Sequence, residues 1–154
     1  MTIEYEFSTR IAASPQEVFD ALSDLDALPD YIPAEVRIET LTEGEFGEGT
    51  QWREYRKMMG REATEVFEVT ECEPPHRLVL FVDGTKGTTG SGEFTYLYQL
   101  EADNGATRLD LEARIDDIGC IGEQLSKLFA GSFKDAVEKD LDGLKHFAES
   151  KSET

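Results

Sequence analysis

Two stretches of this 154-residue chain carry side chains that could do chemistry. In the run Gln51 to Met59, Trp52, Glu54, Arg56 and Met58 alternate with Gln51, Arg53, Tyr55, Lys57 and Met59, so neither face of a strand built from it is purely apolar. If the Trp52 face turns inward, Glu54 and Arg56 enter the interior, where charges persist only when paired or engaged by a ligand. Glu54 is then a candidate base and Arg56 a candidate partner for a developing negative charge. The competing reading is an exposed strand whose charges pair across to Glu65 or Glu68. In the second stretch, Phe94, Tyr96, Tyr98 and Leu100 share one face. Tyr96 and Tyr98 could hydrogen-bond a ligand carbonyl or act as weak acids, or they could be amphipathic core aromatics with hydroxyls at the sheet margin. Arg53, Arg56, Lys57 and Arg61 make a locally cationic stretch, the first place to seek an anionic or enolisable ligand group.

Other reactive residue types lack the spacing their chemistry needs. There is no Ser/His/Asp set, HExxH, P-loop lysine motif or GxGxxG. His76 follows Pro74-Pro75 in a turn and His146 lies near a helix end, so both read as surface residues. Cys72 and Cys120 are far apart with no ligand-like spacing, which predicts reduced thiols, no zinc and a cytoplasmic setting. No metal or cofactor is expected. The stretch Gly84 to Gly92 lacks Walker spacing and leads into no helix. It reads as a flexible hairpin loop at a cavity mouth, suited to gating.

The charge excludes further classes. With 33 Asp+Glu against 15 Lys+Arg the formal net charge is −18, which disfavours nucleic-acid phosphates and anionic membrane surfaces as partners. Residues 1–50 carry 12 acids and 2 bases, so the acidity is concentrated early and reads as a solvent-facing coat for solubility or salt tolerance. The start, Thr2-Ile3-Glu4-Tyr5-Glu6-Phe7, has neither the basic opening nor the apolar run of a secretion signal, and no window suits stable membrane insertion. An apolar share of 39% predicts a folded core rather than disorder.

The elements that must position these side chains are legible from their periods. Alternation predicts a strand over 2–12, then a helix over about 15–23 announced by Ser14, Pro15 and Glu17 as cap, first-turn proline and capping-box partner. A second short helix is allowed before Pro29 and Pro33. Six alternating runs follow: one through Val36, Ile38 and Leu41, then 51–59, 61–72, 76–82, 93–100 and 107–115. Their short spacers predict an antiparallel meander. In the last third, Ile121, Leu125, Leu128, Phe129, Phe133, Val137, Leu141, Leu144 and Ala148 form one stripe on a long helix. Gly131, beside Phe129 and Phe133, is a candidate kink or close approach, or a merely tolerated glycine.

Several of these segments resemble the START-like superfamily of polyketide cyclases/dehydrases and lipid-transfer proteins. The likeness rests on Ala13-Ser14-Pro15-Gln16-Glu17-Val18-Phe19 with Asp24, on Gly47-Glu48-Gly49-Thr50 with Trp52, and on the turn Glu71 to Leu78. It extends to Gly105-Ala106-Thr107-Arg108-Leu109 and the closing Asp140-Leu141-Asp142-Gly143-Leu144-Lys145. The resemblance implies an α+β helix-grip fold, with six to seven antiparallel strands curved around a long C-terminal helix. It implies one domain over 1–149, a polar tail over 150–154, and a cavity between sheet and helix. The cavity would hold a small hydrophobic or aromatic molecule, lined by Trp52, Phe81, Tyr96, Tyr98, Leu125, Phe129 and Phe133. The alternatives are a cyclase or dehydratase using Glu54, Arg56 or Tyr96, and a chaperone-activator-like interaction protein. Monomer and homodimer both remain open.

Overall fold

The computed structural model describes residues 2–58, 60–118 and 123–153, with the side chains of 58 and 123–130 outside the description. Strand β1 (Ile3–Ile11) leads into helix α1 (Pro15–Ser23), a single 3-10 turn (Leu25–Ala27) and the one-turn helix α2 (Leu28–Tyr31). Six strands follow: β2 (Glu35–Thr40), β3 (Gln51–Met58), β4 (Arg61–Glu73), β5 (Arg77–Asp83), β6 (Glu93–Asp103) and β7 (Ala106–Asp116). The chain closes with helix α3 (Glu123–Ser152). The strands form one antiparallel sheet in the order β1-β7-β6-β5-β4-β3-β2, which is the helix-grip arrangement. α3 ends inside the stretch expected to be a polar tail, and residues 150–153 are exposed.

Local chemistry accounts for the joints. The Glu17 amide donates to Ser14 Oγ (3.1 Å) and the Ser14 amide to Glu17 Oε1 (3.0 Å), so the capping box read in the sequence satisfies two donors at the start of α1. Between β6 and β7, Asn104 (φ 48°) and Gly105 (φ 82°) both take the left-handed conformation that a two-residue hairpin turn requires. The loop expected to be a free gate is instead tied down. The Thr88 amide donates to Thr64 O (2.8 Å) and the Thr89 amide to Glu65 Oε1 (3.1 Å).

One end of the domain is solid. Ile11, Val18, Leu100, Leu109 and Leu144 are essentially inaccessible, and the buried Thr107 hydroxyl donates to Ala13 O at 2.7 Å. The close helix approach falls at Gly143 rather than Gly131. A Cβ at 143 would stand 2.0 Å from Tyr31 O, whereas one at 131 meets nothing within 4 Å. α3, roughly 45 Å long at 1.5 Å per residue, continues unbroken through Gly131.

Strand β2 departs from the sequence reading. A bulge between Glu35 and Arg37 shifts its phase, so Val36 is 49% exposed while Glu35 is 7% exposed. The early acidity is therefore not all a surface coat. Gly143→Ala is expected to cost roughly 1–3 kcal/mol by overpacking, and Gly131→Ala to be neutral or to stabilise by up to ~1 kcal/mol. Thermal denaturation of both variants checks this, and the reverse order would contradict the placement of the contact.

Candidate functional site

The sheet and α3 enclose a cavity of about 550 Å³. Its wall is mostly aliphatic and aromatic, and a row of rings runs along it. Phe46, Trp52, Phe67, Tyr96 and Phe133 follow one another at centroid separations of 5.6 to 6.3 Å, with Trp52 and Phe67 stacked at 9°. The strand residues take inward phases: Trp52 faces Phe67 across the β3–β4 ladder, and Tyr96 and Tyr98 alternate inward on β6, while Phe46 packs on Trp52 without lining the cavity. Phe133 joins from α3 and also packs on Tyr5 of β1 at 5.5 Å.

Strand β3 carries Glu54 and Arg56 inward with Trp52, so the exposed-strand reading does not hold. Glu54 is 4% exposed, and the Trp52 indole donates to its Oε2 at 2.9 Å. Arg56 Nε donates to Glu54 Oε1 at 3.0 Å, and its Nη1 lies 2.9 Å from Asp140 Oδ2 on α3. Its partners are these residues rather than Glu65 or Glu68. Ala63, directly opposite Arg56 on β4, leaves room for the guanidinium. On the other side of β3 the partner of Arg56 is Glu35, brought inward by the bulge. Glu35 Oε2 sits 3.3 Å from Arg56 Nε, whose single proton already goes to Glu54, and neither Glu35 oxygen has a well-formed hydrogen bond.

These contacts set the protonation states. Burial, reinforced by the Glu54 charge and by the contact between the two carboxyls, pushes Glu35 up to about 9, so it holds a proton at neutral pH. Burial also raises Asp140, against the charge of Arg56 and its hydrogen bond. Burial alone would weaken Arg56 as a cation, but the Glu54 and Asp140 charges outweigh that and keep it charged. Tyr96 and Tyr98 are raised far above the usual phenol range, again by burial, and stay protonated. Neither hydroxyl has a partner among the described residues, so both are free to bond something in the cavity.

Not every expected residue arrives here. Phe81 does not line the cavity: Leu80 and Val82, its neighbours on β5, take the inward phase and turn it to the opposite face. Leu125 and Phe129 lie outside the described residues. Arg53 faces outward and pairs with Glu39, and Lys57 and Arg61 are exposed, so Arg56 alone of the cationic stretch reaches the cavity. Glu35 and Asp140 are the additions. Asp140 was readable as a polar residue on the inner stripe of α3, three positions after Val137 and four before Leu144, whereas Glu35 needed the bulge. Among the described residues no group of His, Cys, Asp or Glu is placed to hold a metal ion, and no helix is long and apolar enough to cross a membrane.

A curved sheet gripping a long helix around a lined cavity defines the class, and sequence comparison gives the family. Residues 2–149 match the model of the polyketide cyclase/dehydrase and lipid transport family, and the chain belongs to it. It is 26% identical over 144 residues to the uncharacterized protein Rv1546 of Mycobacterium tuberculosis (strain ATCC 25618 / H37Rv), covering 94% of this chain and 95% of that one. Among solved structures it resembles the Zhui aromatase/cyclase from a Streptomyces species (TM-score 0.82, 16% identity, 97% of this chain and 94% of that one). It also resembles a START superfamily protein from Mycobacterium smegmatis (TM-score 0.73, 16% identity, 93% and 97%). At these identities the structural likeness defines the fold.

A proton held to about pH 9 when folded, but lost in the ordinary carboxylate range when unfolded, makes stability fall as pH rises between those limits. Glu35→Gln should remove that fall, so the melting temperature of the wild type drops relative to the variant between weakly acidic pH and pH 9. Parallel curves would contradict the assignment. Arg56→Met leaves the carboxylates uncompensated and should cost about 3–5 kcal/mol, measured by denaturant unfolding.

Proposed function

We propose that this protein binds, and in that sense carries, a small apolar or aromatic molecule with one polar end. The observation that carries the reading is the 550 Å³ cavity itself, apolar along most of its wall and polar at one end. Its volume falls within the range of small-molecule sites. The aromatic row suits a flat or ring-bearing body. Two unpartnered phenols and the Arg56 cluster suit a polar group that must be satisfied out of water.

The same observations favour binding over enolisation by Glu54. Both Glu54 oxygens already accept hydrogen bonds, from the indole and the guanidinium, which leaves it a poor base. Tyr96 and Tyr98 hold their protons and are suited to donate hydrogen bonds rather than abstract protons. An interaction-protein role finds less support. Among the described residues the exposed large hydrophobics are Val36, in the edge strand β2, and Leu41, just after it, too few for a docking patch.

The single tryptophan, Trp52, lines the cavity and reports on its contents. Titration of stripped protein with sterols, fatty alcohols, quinones and aromatic polyketides should change Trp52 emission saturably for at least one class. Tyr98→Phe should weaken that binding roughly fivefold to tenfold, the loss of one hydrogen bond. Absence of any saturable change, together with nothing recovered by mass spectrometry from freshly purified protein, would overturn the reading.

A further inference from the structure

The sequence pointed to a cationic stretch and hence to an anionic ligand group, but the structure reverses the sign. Of the charged side chains lining the cavity among the described residues, Arg56 is the one cation, against Glu54, Glu65 and Asp140. Glu35, wholly buried at its side chain, stands behind them within ion-pair distance of the same guanidinium, with neither oxygen in a well-formed hydrogen bond. Glu65 sits directly across the ladder from Glu54, where two like charges repel. Its Oε2 is also buried without a hydrogen-bond partner. Arg56 already serves Glu54 through Nε and Asp140 through Nη1, so its one charge is shared between two carboxylates before any ligand arrives. Burial raises Glu65 and Asp140 above the ordinary carboxylate range, yet with Glu35 set aside the lining still offers three carboxyl groups against one guanidinium.

We propose that the polar end of this cavity selects its ligand by charge, accepting an apolar or aromatic molecule that bears a protonated amine and rejecting one that bears a carboxylate. An ammonium entering the site finds carboxylates to neutralise it and two phenolic oxygens to accept its hydrogen bonds. A carboxylate would add a further negative charge in a poorly hydrated space, where the one guanidinium lining the cavity is already shared by Glu54 and Asp140. An alcohol, neutral and able to donate to Glu54 or Asp140 or accept from a tyrosine, falls between the two. The proposal rests on the ligand-binding reading above and specifies its chemistry.

The test compares ligands with one body and three heads. Stripped protein is titrated by calorimetry at neutral pH with naphthylmethylamine, naphthylmethanol and naphthoic acid, and separately with dodecylamine, dodecanol and dodecanoic acid below their aggregation limits. The expected order is amine, alcohol, acid, with the amine at least about tenfold tighter than the acid. Asp140→Asn and Glu65→Gln should each narrow that ratio several-fold, and because they lie on different elements, a fold defect in one leaves the other informative. An acid that binds as tightly as its amine, or a ratio unchanged in both variants, overturns charge selection while leaving ligand binding intact. Failure of every member of both sets to bind overturns the ligand-binding reading and this one with it.

Discussion

The guanidinium of Arg56 is the constraint on which the rest of the site depends. From β3, where it holds Glu54 of the same strand, it reaches Glu35 on the neighbouring strand β2 and Asp140 on the distant helix α3. Carboxylates this close, removed from water, repel one another by more than a folded domain of this size can absorb without a compensating cation. Their arrangement is tolerable because one cation serves Glu54 and Asp140 directly and because Glu35 retains its proton. Replacing a buried ion-pair cluster by apolar residues is often neutral or stabilising, so the cluster is not explained by stability alone.

The fold separates a solid end from an end that holds a cavity. At the α1 end, Ile11, Val18, Leu109 and Leu144 pack to near-zero exposure, and Gly143 lets α3 approach the Tyr31 carbonyl. Further along α3 the same stripe presents Phe133, Ala136, Val137 and Asp140 to the concave side of the sheet, and the space between is left open. Curvature makes this possible: a seven-stranded sheet offers more inward surface than one helix can cover.

Most of the architecture was legible because each element announced itself twice, by period and by boundary. The capping box at Ser14 and Glu17 and the Asn104-Gly105 turn fix α1 and the β6–β7 hairpin in both sequence and structure. The inward phase of Trp52, Glu54 and Arg56 could not be chosen from β3 alone, because its two faces have similar polarity and the deciding groups lie on other elements. Phe81 was misplaced for a related reason: Leu78, Val79, Leu80, Phe81 and Val82 are apolar at every position, so alternation carries no phase. Glu35 was hidden by a one-residue bulge, which reverses the inside and outside of β2 without any marker in composition.

Carboxyl carbon NMR reads the charge state of that cluster directly. A pH titration of the ligand-free protein should show one carboxyl resonance with its midpoint near about 9, absent in Glu35→Gln. All Asp and Glu resonances titrating below neutrality would contradict the picture of a buried, protonated Glu35 beside an Arg56 already committed to its other carboxylates.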